Sequence, residues 1–138
     1  MNKLLLCILS CGILITTQVK AETILYCQDE LATGFHKKDG SWTAATFKKD
    51  RHTIKFNDSF TILKGLYNDD YGPMECTAPF DAKPYFLVCA DNWGPLTVFT
   101  YNQTTRRYVT TQLAGGGYTD IQDNPDTETF YAGTCTSF

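Results

Sequence analysis

The stretch HTIKFN, residues 52–57, carries the pattern that decides the fold. Ile54 and Phe56 fall on one side of an extended chain, while Thr53 and Lys55 fall on the other. Strict alternation of this kind is typical of a β-strand with one face in a core and the other in solvent. The sequence therefore predicts a half-buried strand here.

Similar short runs recur along the chain, separated by turn-forming residues. They are 23–28, 32–38, 41–48, 52–57, 60–66, 73–80, 84–91, 96–102, 107–113 and 127–135. The run 85–90 is apolar throughout, which predicts a central strand covered on both faces. No stretch keeps a helical period over three turns. We therefore expect an all-β fold, an antiparallel sandwich or small barrel of about 8–10 short strands.

The N-terminal segment differs from the rest in composition. Lys3 precedes an apolar run from Leu4 to Ile15, and the segment ends in the small residue Ala21. This order is that of a secretory signal peptide, and the run is shorter than the roughly 18 residues that span a membrane. A lipoprotein cleavage site at Cys11 is the less favoured alternative. We expect residues 1–21 to be removed, leaving residues 22–138 as a single exported β-domain, periplasmic or secreted, with no transmembrane segment.

The charge of the expected mature domain excludes some partners. The signal segment takes two of the 12 basic residues, so 10 face 15 acidic ones and the net charge is −5. An acidic domain binds nucleic acid and anionic membranes poorly. The expected partner is an envelope protein or a small ligand, with no nucleic acid.

A basic band interrupts this acidic background. Its members are Lys37, Lys38, Lys48, Lys49, Arg51 and Lys55. Asp39 and Gly40, after its first two residues, are a favoured two-residue hairpin turn because both tolerate positive φ. Lysines in this place protect an exposed sheet edge, or else they form a docking patch for an acidic partner.

Four cysteines remain after Cys7 and Cys11 leave with the signal peptide. They are Cys27, Cys76, Cys89 and Cys135. An even number in a small exported domain implies disulfides, and four cysteines allow three connectivities. We favour Cys27 with Cys135, joining the first strand to the last, and Cys76 with Cys89, closing a local loop. The spacings are too wide for a zinc site.

Catalytic constellations are missing from the sequence. The serines outside the signal segment lie beside turns or at the C-terminus, with no G-x-S-x-G, and the cysteines are expected in disulfides. His36 and His52 have no metal-ligating residue at a suitable spacing, so both are predicted at the surface. We predict no catalytic residue, no metal and no cofactor. An enzyme acting on polysaccharide through Asp69, Asp70 or Glu75 is the alternative.

The segment LAGGGYTDIQDNPDTE, residues 113–128, is the most suggestive loop. Its glycines lack the lysine and the helix that a phosphate loop requires, and acids follow them. Calcium is a minor alternative, with ligands from Asp120, Asp123, Asp126 and Glu128. The preferred interpretation is a partner-binding loop. Its residues are Gly115, Gly116, Gly117 and Tyr118.

Several positions resemble an uncharacterised family of small exported proteobacterial proteins. The shared elements are Tyr26 with Cys27, Thr33-Gly34-Phe35, Trp42, Phe47, Thr53-Ile54-Lys55, Cys76, Cys89 and the ending Ala132-Gly133-Thr134-Cys135-Thr136-x-Phe138. The resemblance covers nearly all of residues 22–138. It consists of aromatic, glycine and cysteine positions, so it implies a fold and brings no reaction with it.

A weaker similarity is to the periplasmic inhibitors of c-type lysozyme. Those are small exported β-barrels with one cysteine on the first strand and one near the C-terminus, and they insert a Ser-Gly-x-x-Tyr loop into the enzyme. Ala114 replaces the serine ahead of Gly115 and Tyr118, and no Tyr-x-x-x-Thr-Lys-Gly element follows. The sequence thus leaves a non-enzymatic binding domain as the first hypothesis, with inhibition of a lytic enzyme as an alternative.

Overall fold

The computed structural model describes residues 21–66, 72–91, 96–113 and 127–137. All regular structure in these residues is β, which confirms the predicted class. The strands are β1 (Thr23–Lys38), β2 (Ser41–Thr46), β3 (Arg51–Phe56), β4 (Ile62–Lys64), β5 (Met74–Thr77), β6 (Phe86–Ala90), β7 (Leu96–Asn102), β8 (Arg107–Leu113) and β9 (Thr127–Thr136).

The strands form an antiparallel barrel rather than a sandwich. Neighbours follow the order β2-β1-β3-β4-β5-β6-β7-β8-β9, and β9 pairs back with β1. Eight strands, all except β2, therefore close into a ring. Strand β2 lies outside that ring and, in the described part of the chain, pairs only with β1.

Strand β1 was predicted as two strands, 23–28 and 32–38, and this prediction is wrong. It runs unbroken for 16 residues. Its register against β9 shifts between Asp29 and Leu31, so Glu30 is an extra residue in the ladder. Such a β-bulge bends a strand without ending it. On one side of β1, the first part of the strand pairs with β3 and the last part pairs with β2. On the other side, β9 pairs with both parts.

The core forms inside the ring from alternate residues of each strand. Ile54 and Phe56 are fully buried, as the opening stretch predicts. Phe99 stacks between Tyr101 and Tyr108, with ring centroids 6.3 and 5.5 Å away. The run 85–90 becomes β6, whose outward residues are only half-buried, so the prediction that both its faces are covered holds only in part.

Both favoured disulfides are present. Cys27 bonds to Cys135 across β1 and β9, and Cys76 bonds to Cys89 across β5 and β6. Each pair consists of residues directly opposite each other in the ladder. The first disulfide links the strands that close the ring, so it is a clamp on the barrel seam.

The barrel has two distinct ends. The hairpin end carries the turn at Asp39 and Gly40, and the terminal end carries the start of β1 and the end of β9. Because the strands are antiparallel, the ends of β4, β6 and β8 and the starts of β5, β7 and β9 also lie at the hairpin end.

Candidate interaction surface

Five large apolar side chains project from the outer wall of the barrel on β1, β8 and β9. We call them the apolar face. They are Leu31, Phe35, Val109, Leu113 and Phe130. Each leaves between 39% and 53% of its surface exposed, although all five belong to well-paired strands. Exposed apolar side chains that cluster in this way are typical of an interaction site, whereas scattered ones are not.

The strand register places the five side chains together. Residues directly opposite each other in antiparallel strands share a face of the sheet. The outward rows are Leu31 with Ala132 and Val109, Thr33 with Phe130 and Thr111, and Phe35 with Glu128 and Leu113. Phe130 is thus at the centre, with one apolar residue at each corner. Strand and residue spacings make this area about 10 Å by about 13 Å.

The sequence pattern alone does not find the apolar face. In β1 the buried residues Leu25 and Cys27 have the same odd-numbered phase as Leu31 and Phe35, so simple alternation assigns all four to the core. The bulge at Glu30 reverses the phase, and from Leu31 onward the odd-numbered residues point outward.

Asp29 is a buried carboxylate at the point where β1 passes from β3 to β2, with only 2% of its surface exposed. Its Oδ1 accepts a hydrogen bond from the Tyr108 hydroxyl, and its Oδ2 accepts one from the backbone N–H of Asp50 at 2.8 Å. His52 Nε2 lies 3.7 Å from Oδ2. The prediction of a surface His52 is therefore wrong, because the ring lies against a buried carboxylate.

The barrel interior becomes polar toward the hairpin end. Thr110 and Thr129 are buried there, and the Thr110 Oγ1 atom has no hydrogen-bond partner among the described residues. His36 is half-buried rather than at the surface, with Nδ1 3.1 Å from the hydroxyl of Thr127. The Thr110 hydroxyl marks a position where a water or a polar ligand atom would gain a hydrogen bond.

Most of the site residues predicted from sequence lie outside the described residues. These are Gly115, Gly116, Gly117, Tyr118, Asp69, Asp70, Asp120, Asp123 and Asp126. Two of the predicted acids are placed. Glu75 is exposed on the outer side of β5, and Glu128 is half-buried in the outward row with Phe35 and Leu113. The predicted partner-binding loop joins β8 to β9, the strands that carry part of the apolar face.

The basic band lies at the end of β1, in the segment between β2 and β3, and on β3. Lys48, Lys49, Arg51 and Lys55 are exposed. Lys37 holds its Nζ 5.8 Å from the centre of the Trp42 ring, a cation–π contact that joins β1 to β2. The band and the apolar face are therefore adjacent, because both include residues of β1.

Comparisons with protein-family models, with curated proteins and with solved structures gave no match. Within the four described segments there is no helix long and apolar enough to cross a membrane. The same segments contain no group of three or more His, Cys, Asp or Glu residues placed to hold a metal ion.

Proposed function

We propose that this chain is an exported, non-enzymatic binding domain of the bacterial envelope that contacts a partner protein through the apolar face. The observation that carries the proposal is the cluster of five exposed apolar side chains around Phe130. The closed ring of eight strands and two disulfides supply a rigid wall for it.

The two disulfides fit an oxidising location outside the cytosol. The order of lysine, apolar run and small residue in residues 1–21 supports export.

The size of the apolar face suits the centre of a protein–protein interface. At the observed exposure, five side chains of this size present roughly 400 Å², which is within the range of functional surface patches. A stable interface buries about 800 Å² on each partner, so the surrounding threonines would form part of the rim. The face lies on the outer wall of the barrel rather than in a pocket, which favours a protein over a small ligand.

The test is capture of a partner from a bacterial envelope extract by three purified proteins. Wild type and the control Phe80→Ser should recover the same specific protein, because Phe80 is equally exposed at 53% but lies outside the apolar face. The double variant Phe35→Ser with Phe130→Ser should recover at least about tenfold less. Equal recovery by all three, or recovery of nothing specific by wild type, contradicts the proposal.

A second candidate is inhibition of a cell-wall lytic enzyme. It is favoured by the barrel closed through a disulfide between first and last strands, as the resemblance to lysozyme inhibitors implies. We expect micromolar protein to slow lysis of a cell-wall suspension by c-type lysozyme, and Tyr118→Ala to remove the effect. Unchanged lysis with excess wild-type protein excludes this candidate.

A further inference from the structure

Strand β2 gives the barrel an open sheet edge. A closed barrel has no edges, because every strand is paired on both sides. Here the ring closes without β2, yet β2 is added beside the second half of β1. In the described part of the chain it is the one strand paired on a single side.

The hairpin geometry determines which β2 residues have their backbone groups directed outward. In a two-residue hairpin the pair next to the turn, here Lys38 with Ser41, is hydrogen-bonded, and hydrogen-bonded pairs then alternate along the ladder. The bond from Phe47 N–H to the Ala32 carbonyl, 3.1 Å, continues the same alternation. Ala44 and Thr46 therefore direct their N–H and C=O groups away from β1.

On its inner side, β2 is joined to β1 by side-chain hydrogen bonds in addition to the backbone ladder. Thr33 Oγ1 donates to the Ala45 carbonyl and Thr43 Oγ1 donates to the His36 carbonyl, both at 3.1 Å. Strand β2 has the sequence SWTAAT, with no charge, no proline and no break in its register with β1. A charge, a proline or a bulge within the strand is a common protection of a natural sheet edge. Among the described residues, no strand pairs with the outer side of β2.

The charge around β2 selects what can pair with it. Residues 37–55 contain six of the twelve Lys and Arg residues but two of the fifteen Asp and Glu, a local charge of +4. The remainder of the chain carries six basic and thirteen acidic residues, a charge of −7. Antiparallel pairing of two β2 strands would place the lysines after β2 in one copy beside those before β2 in the other, so self-pairing is repelled.

We propose that β2 accepts an extended, acidic polypeptide segment as an additional strand of the sheet. Backbone groups of Ala44 and Thr46 would form the ladder, while Lys48 and Lys49 would attract acidic residues at one end of the segment. This site goes beyond the apolar face, because it uses the strand edge and not the side chains on the outer wall.

The test uses a fluorescein-labelled peptide, Glu-Glu-Asp-Glu-Val-Thr-Val-Thr-Val-Thr, whose acidic end lies beside Lys48 and Lys49 in antiparallel pairing, and measures anisotropy against the full mature domain. Wild type should bind it. A peptide with lysine at the four acidic positions, and one with N-methyl groups on alternate backbone nitrogens, should each bind at least about tenfold more weakly. The N-methyl peptide tests the ladder without altering the protein.

Matched variants test the protein side. Ala44→Pro removes one outward N–H at an edge position where proline is tolerated, and should weaken binding about tenfold, whereas Ala44→Val should not. Lys48→Glu with Lys49→Glu should weaken it about tenfold, while Lys83→Glu, an exposed lysine elsewhere, should not.

Several outcomes would overturn the proposal. They are no binding by wild type at millimolar peptide, equal affinity for the N-methyl peptide, and equal affinity of the Lys48 and Lys49 double variant. The double variant Phe35→Ser with Phe130→Ser should bind the peptide normally. Failure of the strand-edge site is thereby distinguished from failure of the apolar face.

Discussion

The two halves of β1 have opposite roles although they belong to one strand. The first half, residues 23–28, lies between β3 and β9 in the closed ring, with Leu25 and Cys27 buried and the clamp attached. The second half, residues 33–38, lies between β2 and β9, where Phe35 is 51% exposed. One bulge residue, Glu30, separates the half that closes the barrel from the half that presents a surface.

The difference shows that burial and pairing are separate sources of order in this sheet. In the first half, side chains hold the strand by packing inside the ring. After the bulge the first two inward positions, Ala32 and Gly34, are small, and backbone ladders on both sides hold the strand. Large apolar side chains on that half are therefore free to face outward.

The largest expected effect comes from removing the clamp on the first half. By chain entropy, the Cys27–Cys135 bond, with a sequence separation of 108, is worth about 5 kcal/mol, and the Cys76–Cys89 bond, with a separation of 13, about 3 kcal/mol. Urea unfolding of the two double-serine variants should therefore show the greater loss for Cys27→Ser with Cys135→Ser. An equal or reversed order would mean that the seam is held by the ladder alone.

The second largest loss of stability is expected at Asp29, where the two halves of β1 meet. Asp29→Ala leaves the Tyr108 hydroxyl and the Asp50 N–H without their acceptor inside the barrel. We expect the free energy of unfolding to fall by about 3 kcal/mol. The exposed Asp81→Ala is the matched control and should change it by less than about 0.5 kcal/mol. A small effect of Asp29→Ala would show that Asp29 is not what holds the junction.

The second half should be sensitive to a single methyl group. A Cβ on Gly34 would collide with the backbone carbonyl of Glu128 on β9. Gly34→Ala should therefore lower the free energy of unfolding by about 2 kcal/mol, since β1 and β9 must separate locally. If Gly34→Ala unfolds at the same urea concentration as wild type, β1 and β9 can move apart without a loss of stability.

The smallest expected effect is a loss of stability in alkali. Burial, followed by the negative charge of Asp29, raises the pKa of Tyr131 above its ordinary value of 10.0. Burial likewise raises the pKa of Tyr101, although Arg106 lowers it in part. A raised folded-state pKa contributes stability that is present below pH 10.0 and lost as the pH rises through the folded pKa. Thermal melts of Tyr131→Phe should fall less steeply above pH 10 than those of wild type.

The fold was largely readable from the sequence because it rests on local signals. Alternation as in Ile54 and Phe56 predicts half-buried strands, and cysteine parity with a first-strand and last-strand position predicts the clamp. Asp39 and Gly40 predict the hairpin that positions β2. Each of these signals depends on residue type and spacing alone.

The apolar face and the surroundings of Asp29 could not be predicted from the sequence, because they depend on the register between strands. The sequence leaves Asp29 between two predicted strands, 23–28 and 32–38, and only the pairing with β9 shows that one strand continues and changes phase there. His52 looks like a surface residue until Asp29 is placed 3.7 Å away. Contacts between residues far apart in sequence decide these positions, and no local pattern encodes them.

The seam between β1 and β9 also imposes an order on how the chain matures. Contacts across the seam join residues 91 to 110 positions apart, so the first strand to emerge must wait for the last. Cys76 and Cys89 can pair soon after they appear, but Cys27 meets both of them before Cys135 exists. An oxidant that joins thiols in order of emergence would link Cys27 to Cys76. Correct closure of the barrel therefore requires either delayed oxidation of Cys27 or exchange of that early bond.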